Sequence, residues 1–410
     1  MAKALLGRHH EVAIVDDLSS GKRENMPEGV HFYEADIRSG CAEIFEDFEP
    51  EALCHQAAQM DVRRSVREPD FDAEVNVLGT VRLLENCVEY GVGKVVFAST
   101  GGAVYGEQRE FPATEDHPQY PLSPYGVSKL ACERYLYYYH AQYGLPYVAL
   151  RYSNVFGPRQ DPHGEAGVVA IFSGNLAEVR ISTINGSGEQ TRDYVYVEDV
   201  ARANVLALEG EVPPGSYNVG TGSDTSVNEL YSLLLKVSGK DLTPEHGPAK
   251  AGEQLRSSVD PTLAGRVMGW CPEVDLTSGL KETLRFFARS KRERSAWSLR
   301  WGAVSGVSVR MAATTWSVGH LNRRIIRRAL DPGRCHMHST SVKYFTGCAP
   351  IRSTLFGEPG GLITPLKKRC PRPRKPNPVS ASWSPCTTPA LSLPGPNACR
   401  FWGTGRIYPP

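Results

Sequence analysis

Short apolar runs alternate with amphipathic stretches through the first 155 residues of the chain. The apolar runs have the length and composition of strands, and the stretches between them have the 3.6-residue period of helices. The predicted strands are Glu11–Asp16, Val30–Asp36, Ala52–Ala58, Lys94–Thr100 and Tyr147–Val155. The predicted helices are Ala2–Arg8 (the end of a helix), Asp72–Tyr90 and Pro124–Tyr143. Nearly continuous apolar strands that alternate with helices predict a doubly wound α/β fold, with helices on both faces of a parallel sheet.

The pattern loosens after Gly157, where polar loops interrupt shorter strands and helices, and regular order ends with a predicted helix at Leu276–Arg289. We therefore predict a first α/β domain at residues 1–155 and a smaller α/β domain at 156–290, with some segments of the second returning to the core of the first. A tail follows at 291–410. Because active sites are usually built from loops on a rigid sheet, the second domain is expected to bind the substrate.

Charge and composition separate the tail from the rest of the chain. The 410 residues carry a net charge of +1, but residues 291–410 hold 20 Lys and Arg against 3 Asp and Glu, and 14 of the 30 prolines. A segment of this kind, without apolar periodicity, buries too little surface to offset its ordering entropy. It is predicted to be disordered or translated out of frame. A basic arm for nucleic acid is the alternative, but we expect no specific nucleic-acid partner, because the basic residues follow no extended helix face.

Targeting and metal-binding patterns are missing from the sequence. No run reaches the roughly 18 consecutive apolar residues of a membrane span, and the N-terminus carries no secretion signal. The cysteines of the first 290 residues have neither zinc-ligand nor redox spacing, so we expect no metal site. These observations predict a reduced, cytoplasmic protein that has no membrane partner.

The strongest chemical signal is a tyrosine and a lysine four residues apart, Tyr125 and Lys129, on the predicted helix that begins at Pro124. Residues at this spacing share one face of a helix. A phenol with an ordinary pKa near 10 is a poor base at neutral pH, and a neighbouring ammonium favours its phenolate. Taken alone, the pair is also typical of a surface helix with a solvated lysine.

Four motifs supply the missing context: STGGAVYGE from Ser99, SPYGVSKLACE from Ser123, LRYSNVFGPRQ from Leu150 and QTRDYVYVEDVA from Gln190. With these motifs in this order, the chain resembles the NAD-dependent epimerase/dehydratase family of extended short-chain dehydrogenases. The resemblance implies a Rossmann-like fold, an NAD cofactor and epimerisation at C4 of a UDP-hexose through a 4-keto intermediate. Two alternatives stay open: another nucleotide-sugar epimerase or dehydratase of this family, and an inactive protein that binds sugar nucleotides.

The resemblance also implies roles for individual residues. Tyr125 resembles the catalytic base, and Lys129 resembles its partner, which also holds the nicotinamide ribose. Thr100 resembles the hydroxyl that hydrogen-bonds the reacting sugar oxygen, with Ser99 as the alternative because the glycines that follow blur the register. Further positions match the cofactor and substrate contacts: Asn76 and Tyr152 on the cofactor side, Asn154 and Arg192 at the substrate diphosphate, and Lys250 at a second phosphate contact.

The adenosine end of the cofactor is expected where the early strands end. Asp16 ends the second strand of a Rossmann unit, where an acid accepts from the ribose 2′-OH and favours NAD over NADP. The family resemblance places Asp36 and Ile37 beside the adenine. It places Ala57 and Ala58 at a turn that the cofactor approaches closely.

The residues after the active hydroxyl bear on the type of reaction. Dehydratases of this family carry an acid there, because elimination needs an acid and a base beside the ketone. Here the positions hold Gly101, Gly102 and Ala103, whose side chains cannot transfer protons. The sequence therefore favours epimerisation over dehydration.

A Rossmann unit opens with a strand and a glycine-rich turn, whereas the printed chain starts within the helix that follows them. We therefore expect the sheet to lack a central strand and the printed chain to lack the pyrophosphate site needed for turnover. A misplaced start or a truncated reading frame is the expected explanation. The family resemblance also implies a homodimer, formed through the helices at Asp72–Tyr90 and Pro124–Tyr143.

Overall fold

The computed structural model describes residues 1–162, 167–249 and 254–289, so Lys250 and the predicted tail at 291–410 lie outside the described residues. The strands are β1 (Ala13–Asp16), β2 (His31–Glu34), β3 (Ala52–His55), β4 (Lys94–Thr100), β5 (Tyr147–Tyr152), β6 (Asn154–Phe156), β7 (Thr183–Asn185), β8 (Thr191–Tyr196), β9 (Gly215–Val219), β10 (Asp224–Ser226), β11 (Glu245–Gly247) and β12 (Arg256–Ser257). The helices are α1 (Ala2–Leu6), α2 (Ala42–Phe48), α3 (Val62–Arg67), α4 (Pro69–Ala73), α5 (Gly79–Glu89), α6 (Pro124–Tyr143), α7 (Val168–Ala177), α8 (Val197–Glu209), α9 (Val227–Ser238), α10 (Thr262–Met268) and α11 (276–289).

The central sheet has the strand order β3-β4-β5-β9, and each neighbouring pair is parallel. Side chains of β4 alternate between its faces, as the pleat of a strand requires. Val95 and Phe97 pack with residues of α5 and α6, and Val96 packs with residues of α8 and α10. Both faces of the sheet are therefore covered, which explains the continuous apolar run and confirms the predicted doubly wound, Rossmann-like α/β fold.

β1 and β2 form a separate parallel pair, in which Asp16 lies opposite Glu34. Within the described residues no strand joins β1 to β3, so each of these two strands has one edge without a strand partner. Leu5 of α1 and Val12 pack against Val205 of α8, and this apolar contact attaches the β1-β2 pair to the body of the protein.

The second region is built around β8, which pairs with β10 in antiparallel fashion and with β6 and β12 in parallel fashion. β7 and β11 form a further parallel pair. Phe172 of α7, Leu230 of α9 and Leu280 of α11 share one apolar core in this region. β9 belongs to the same part of the chain but pairs with β5. A part of residues 156–290 therefore lies in the central sheet.

β4 and α6 have the bounds that the sequence pattern predicts, whereas α1, β1, β2 and β3 are shorter than predicted and two further elements differ in their organisation. The predicted strand Tyr147–Val155 breaks at Ser153, whose amide donates to the Val219 carbonyl at 2.9 Å, and β6 then pairs with β8 instead of β9. The predicted helix Asp72–Tyr90 begins earlier, because Pro69 suits a first helical turn, and it contains a π-helical turn at Glu74–Leu78. None of the described helices is long and apolar enough to cross a membrane.

Candidate active site

Helix α6 holds Tyr125 and Lys129 against the end of β4. The helix begins after Ser123, whose hydroxyl accepts a hydrogen bond from the Gly126 amide at 3.2 Å. Gly126 allows a close approach, because a Cβ there would lie 2.9 Å from the carbonyl oxygen of Ala103. The start of α6 is thereby fixed beside the loop that follows β4.

Lys129 is buried and its ammonium points at β4. The Nζ atom donates to the carbonyl oxygen of Ala98 at 2.9 Å, and it lies 4.8 Å from the ring centre of Phe97 and 5.9 Å from that of Tyr125. Burial lowers the pKa of Lys129 to about 8, and the neighbouring Cys132 and Asp72 oppose this shift. The ammonium is therefore close enough to the tyrosine ring for a cation–π attraction.

The phenol of Tyr125 is unusually weak as an acid. Burial raises the pKa of Tyr125 well above its ordinary value, and the negative charge of Asp72 raises it further. A phenol in these surroundings ionises only when a positive charge favours the phenolate. The ammonium of Lys129 is one such charge. Tyr125 can therefore act as a base when enough positive charge lies near its hydroxyl.

Ser99 and Thr100, the two hydroxyls at the end of β4, have different surroundings. Ser99 is buried, and its hydroxyl donates to a carboxylate oxygen of Glu133 at 2.5 Å. Glu133 in turn forms an ion pair with Arg151 at 2.6 Å, and both side chains are only 3% exposed. Thr100 is half-buried and pairs with Tyr152 in the register of β4 and β5. The hydroxyl of Ser99 is thus engaged in the core, whereas Thr100 ends the strand.

Gly102 lies close to two predicted substrate contacts. A Cβ at Gly102 would lie 3.9 Å from Oγ1 of Thr100 and 4.0 Å from Oδ1 of Asn154. β6 brings Asn154 to this position because the chain leaves the central sheet at Ser153. Two side-chain oxygens from different strands therefore converge beside the loop against which α6 packs.

Asn76 fixes the turn that follows β3. Its Oδ1 atom accepts from the amide of Gln59 at 2.8 Å, and its Nδ2 atom donates to the carbonyl of the same residue at 2.9 Å. Ala57 and Ala58 precede Gln59 in this turn and add no side chain beyond a methyl group. The turn has a defined position and leaves its backbone open to close approach, as the sequence analysis expects for a cofactor contact.

The predicted adenosine contacts lie at the ends of β1 and β2. Asp16 accepts from the amide of Leu18 at 2.7 Å, which orders the turn after β1. Asp36 accepts from both the amide and the Nε atom of Arg38 at 2.8 Å, and this guanidinium lowers the pKa of Asp36. Ile37 is buried at the start of the 3₁₀ turn that Asp36 caps. Asp16, Asp36 and Ile37 therefore all lie at the carboxyl ends of β1 and β2.

The hydroxyl of Tyr152 contacts α8. It donates to Oδ1 of Asn204 at 2.9 Å, and Nε2 of Gln56 donates to the same oxygen at 3.0 Å. Burial raises the pKa of Tyr152, so this hydroxyl stays protonated. The sequence analysis named Tyr152 but neither of its partners, because Gln56 and Asn204 are 148 residues apart and no local pattern connects them.

Arg192 lies on β8, and its Nη1 atom donates to the carbonyl of Thr191 at 2.7 Å. The next residue, Asp193, is fully buried and accepts from the backbone amides of Thr221 at 2.9 Å and Val259 at 3.3 Å. These bonds hold the loop after β9 against β8. Asp193 stands beside Arg192 in the fourth motif, but no local pattern in the sequence marks it as buried.

Ten of the predicted residues form three groups at the carboxyl ends of parallel strands, whereas Ser99, Tyr152 and Arg192 have the separate contacts given above. The members are Tyr125, Lys129, Thr100 and Asn154 near β4; Ala57, Ala58 and Asn76 after β3; and Asp16, Asp36 and Ile37 after β1 and β2. Ligands of open α/β sheets bind along this edge. Among the described residues, no three His, Cys, Asp or Glu side chains are grouped to hold a metal ion.

The chain matches one protein family, and its similar relatives and solved structures include several UDP-glucose 4-epimerases. The profile of the NAD dependent epimerase/dehydratase family matches residues 1–220. The UDP-glucose 4-epimerase of Mycolicibacterium smegmatis is 46% identical over 289 residues, which cover 69% of this chain and 92% of that protein. The UDP-glucose 4-epimerase of Thermotoga maritima, solved with UDP-glucose, aligns with a TM-score of 0.69 and 45% identity, over 71% of this chain and 94% of that one. The Thermus thermophilus UDP-glucose 4-epimerase, solved with NAD, aligns with a TM-score of 0.66 and 46% identity, over 70% and 94%. This chain therefore belongs to the NAD dependent epimerase/dehydratase family.

Proposed function

We propose that this protein epimerises C4 of a UDP-hexose of the UDP-glucose/UDP-galactose type, with NAD as cofactor. The observation that carries the proposal is the position of Tyr125 and Lys129 beside the end of β4, where the side-chain oxygens of Thr100 and Asn154 both lie near Gly102. The names of the relatives support it, since two of the solved neighbours are UDP-glucose 4-epimerases with UDP-glucose or NAD bound.

The described residues fit both ends of NAD. At the adenosine end, the carboxylate of Asp16 would accept from the ribose hydroxyl, and Asp36 and Ile37 would flank the adenine. At the nicotinamide end, Lys129 donates one of its three N–H groups to the carbonyl of Ala98, and the other two can donate to the hydroxyls of a ribose. When bound, NAD supplies the hydride acceptor and donor of the reaction.

Tyr125 takes the proton from the 4-hydroxyl of the sugar and later returns it. Burial and Asp72 keep the pKa of this phenol high in the free protein, so the positive charge of Lys129 is required to favour phenolate. Proton transfer is therefore coupled to the presence of positive charge in the site. Asn154 and Arg192 hold the diphosphate, so the 4-keto sugar stays tethered while it turns over between the two hydride transfers.

Thr100 is the hydroxyl that we assign to the reacting sugar oxygen. Ser99 is the weaker candidate, because its hydroxyl already donates to the buried carboxylate of Glu133. Gly101 and Gly102 follow and offer no acid for elimination, which favours epimerisation over dehydration.

We further propose that two copies associate through α5 and α6. The outer face of α6 exposes large apolar and aromatic side chains: Val127, Tyr135, Tyr137, Tyr138 and Tyr143. Tyrosine is enriched at protein interfaces, where such a face would be covered. Light scattering coupled to gel filtration measures the mass in solution, and a strictly monomeric protein would contradict this proposal.

The replacement of Tyr125 by phenylalanine tests the catalytic assignment. Tyr125→Phe removes only the hydroxyl, so we expect turnover to fall by about 10²–10⁴-fold, the usual contribution of a general base, while UDP binding is preserved. Tyr120→Phe is the matched control, because Tyr120 is 69% exposed and has no assigned role. Conversion of UDP-galactose to UDP-glucose is followed by NMR, and UDP affinity by calorimetry. A Tyr125→Phe protein as active as the control would refute the assignment.

The assay is run on two forms of the chain. One is the printed sequence, and the other carries an N-terminal extension of one apolar strand and a glycine-rich turn. The extension is included because β1 and β3 each have an edge without a strand partner within the described residues. We expect the extended form to bind NAD more tightly, since a glycine-rich turn at a helix N-terminus provides backbone donors to a pyrophosphate.

A further inference from the structure

A buried carboxylate stands beside the catalytic pair and has no cationic partner among the ion pairs of the described residues. Asp72 on α4 is fully buried. Its Oδ1 atom accepts from Nε2 of Gln59 at 2.9 Å and from Nδ2 of Asn76 at 3.0 Å, and its Oδ2 atom accepts from the hydroxyl of Ser128 at 2.7 Å. The carboxylate of Asp72 thus has three neutral hydrogen-bond donors. A buried charge in a protein is normally paired with an opposite charge.

The three donors come from three different parts of the site. Gln59 belongs to the turn after β3, Asn76 lies in the π-helical turn, and Ser128 lies on α6 between Tyr125 and Lys129. One carboxylate therefore connects the predicted cofactor turn to the catalytic helix. Because Ser128 directly precedes Lys129, the hydrogen bond to Asp72 also fixes the rotation of α6 about its axis.

We propose that Asp72 is a positioning residue for Tyr125 and Lys129, which fixes α6 through Ser128 and sets the ionisation of the phenol through its own negative charge. The chemical meaning of this role rests on the proposed epimerase function. The charge favours the ammonium of Lys129 and opposes the phenolate of Tyr125. A resting site with a neutral phenol beside a charged lysine follows, and it becomes basic only when further positive charge enters.

Few other titratable groups face this pair. His55 on β3 lies near Lys129, and burial together with that ammonium lowers the pKa of His55 to about 3, so His55 is neutral. Cys132 is one turn further along α6, and burial raises the pKa of its thiol, so it is neutral too. Asp72 is therefore the buried carboxylate beside the pair that has no ion-pair partner within the described residues.

The other charged groups on elements packed against α6 have partners of their own or are exposed. Arg63, Arg67 and Asp70 of α3 and α4 are exposed. The partnered groups are Arg64 with Glu68 near α3, Glu74 with Arg38 in the π-helical turn, Glu85 with the Tyr139 hydroxyl on α5, and Arg151 with Glu133 on β5. Their charges are compensated locally, so a change at Asp72 has a distinct electrostatic effect.

The test measures the ionisation of residue 125 directly. A fluorinated tyrosine is placed at position 125 of the full chain by amber suppression, and its ¹⁹F chemical shift is followed against pH. Fluorination lowers the pKa of the phenol and brings its titration into a range where the protein stays folded. Neither cofactor nor turnover is needed, so the result is independent of the proposed activity.

Asp72→Asn removes the charge and retains the shape of the side chain. We expect it to lower the titration midpoint of residue 125 by roughly one pH unit, as the removal of one nearby like charge does. Ser128→Ala is the matched control, because it removes the hydrogen bond that fixes α6 and leaves the charge in place, so its midpoint should shift by much less than that of Asp72→Asn. If Asp72→Asn shifts the midpoint no more than Ser128→Ala does, the charge has no role of its own, and that result overturns the proposal.

A second variant at the same position is measured in case the first does not fold. If Asp72→Asn does not fold, Asp72→Ser is measured in the same way, since a smaller hydroxyl leaves room for a water to bond Gln59 and Asn76. A lowered midpoint in Asp72→Ser supports the proposal as fully as in Asp72→Asn. Failure of both variants to fold would make Asp72 a structural residue and would overturn it.

Discussion

Replacement of Glu133 by glutamine removes one charge from an ion pair that is almost inaccessible to water. The two oxygens of Glu133 accept from the hydroxyls of Ser99 and Ser216 and from two nitrogens of Arg151. Arg151 makes a further hydrogen bond to the Tyr105 hydroxyl at 3.0 Å. A glutamine retains one oxygen but presents an NH₂ group where the second oxygen was, so donors that now bind a carboxylate would face another donor.

The expected loss is large relative to the stability of a domain. Leaving the Arg151 guanidinium buried without its carboxylate costs about 3–5 kcal/mol. Native domains are stable by only about 5–15 kcal/mol, so Glu133→Gln removes a substantial part of that margin. At about 2–4 °C of melting temperature per kcal/mol, the loss corresponds to a decrease of roughly 6–20 °C.

Urea unfolding followed by circular dichroism measures the loss, with thermal melts in parallel. Glu282→Gln is the matched control, because Glu282 pairs with Arg285 on α11 with both side chains about half exposed. An exposed pair contributes about 0–1 kcal/mol, so this control should remain close to the parent. The double variant Glu133→Gln with Arg151→Met should recover part of the loss, since no unpaired charge remains. A Glu133→Gln protein as stable as the control would refute the reasoning.

Two further predictions concern the strand ends and acid stability. Thr100→Ala should lower turnover at least about tenfold and leave the stability unchanged. Ser99→Ala should lower the free energy of unfolding by about 1 kcal/mol and leave turnover nearly unchanged. If kinetics and urea unfolding show the reverse pattern, Ser99 is the active hydroxyl. Burial lowers the pKa of His55 to about 3 from 6.5, so only the unfolded chain gains this proton between those values and stability falls as pH decreases through that window. The slope from His55 is roughly 1.4 kcal/mol per pH unit, and His55→Gln should remove it when urea unfolding is compared at pH 7 and pH 5; an unchanged slope would contradict this.

The sequence could predict β4 and α6 to the residue, because the determinants of both elements are local. Apolar side chains on both faces make Lys94–Thr100 a buried strand, and its neighbours are parallel. Helix α6 begins after the capping hydroxyl of Ser123 and ends before Gly144, which has a left-handed backbone with φ of 72°. Such signals act over a few residues and need no tertiary contact. The spacing of Tyr125 and Lys129 on this helix is therefore local information too, and the resemblance of the four motifs to a family gave it a chemical meaning.

The choice between Ser99 and Thr100 needed the tertiary structure. Successive residues of a strand point to opposite faces, and the sequence alone left the register ambiguous by one position. In the structure the hydroxyl of Ser99 donates to Glu133, 34 residues further along the chain, and this contact favours Thr100 as the substrate hydroxyl. The sequence contained this partner one helical turn after Lys129, but nothing local marks it as buried.

Contacts between distant parts of the chain account for what the sequence could not determine. Gln56 and Asn204 meet at Tyr152 over 148 residues, and Asp72 reaches Ser128 over 56. Local pattern and capping thus determined the elements, the catalytic motif and the fold class. Only packing decided which polar groups are buried and which hydroxyls and carboxylates bond one another in the core, because burial and hydrogen-bond partners arise only when remote segments come together.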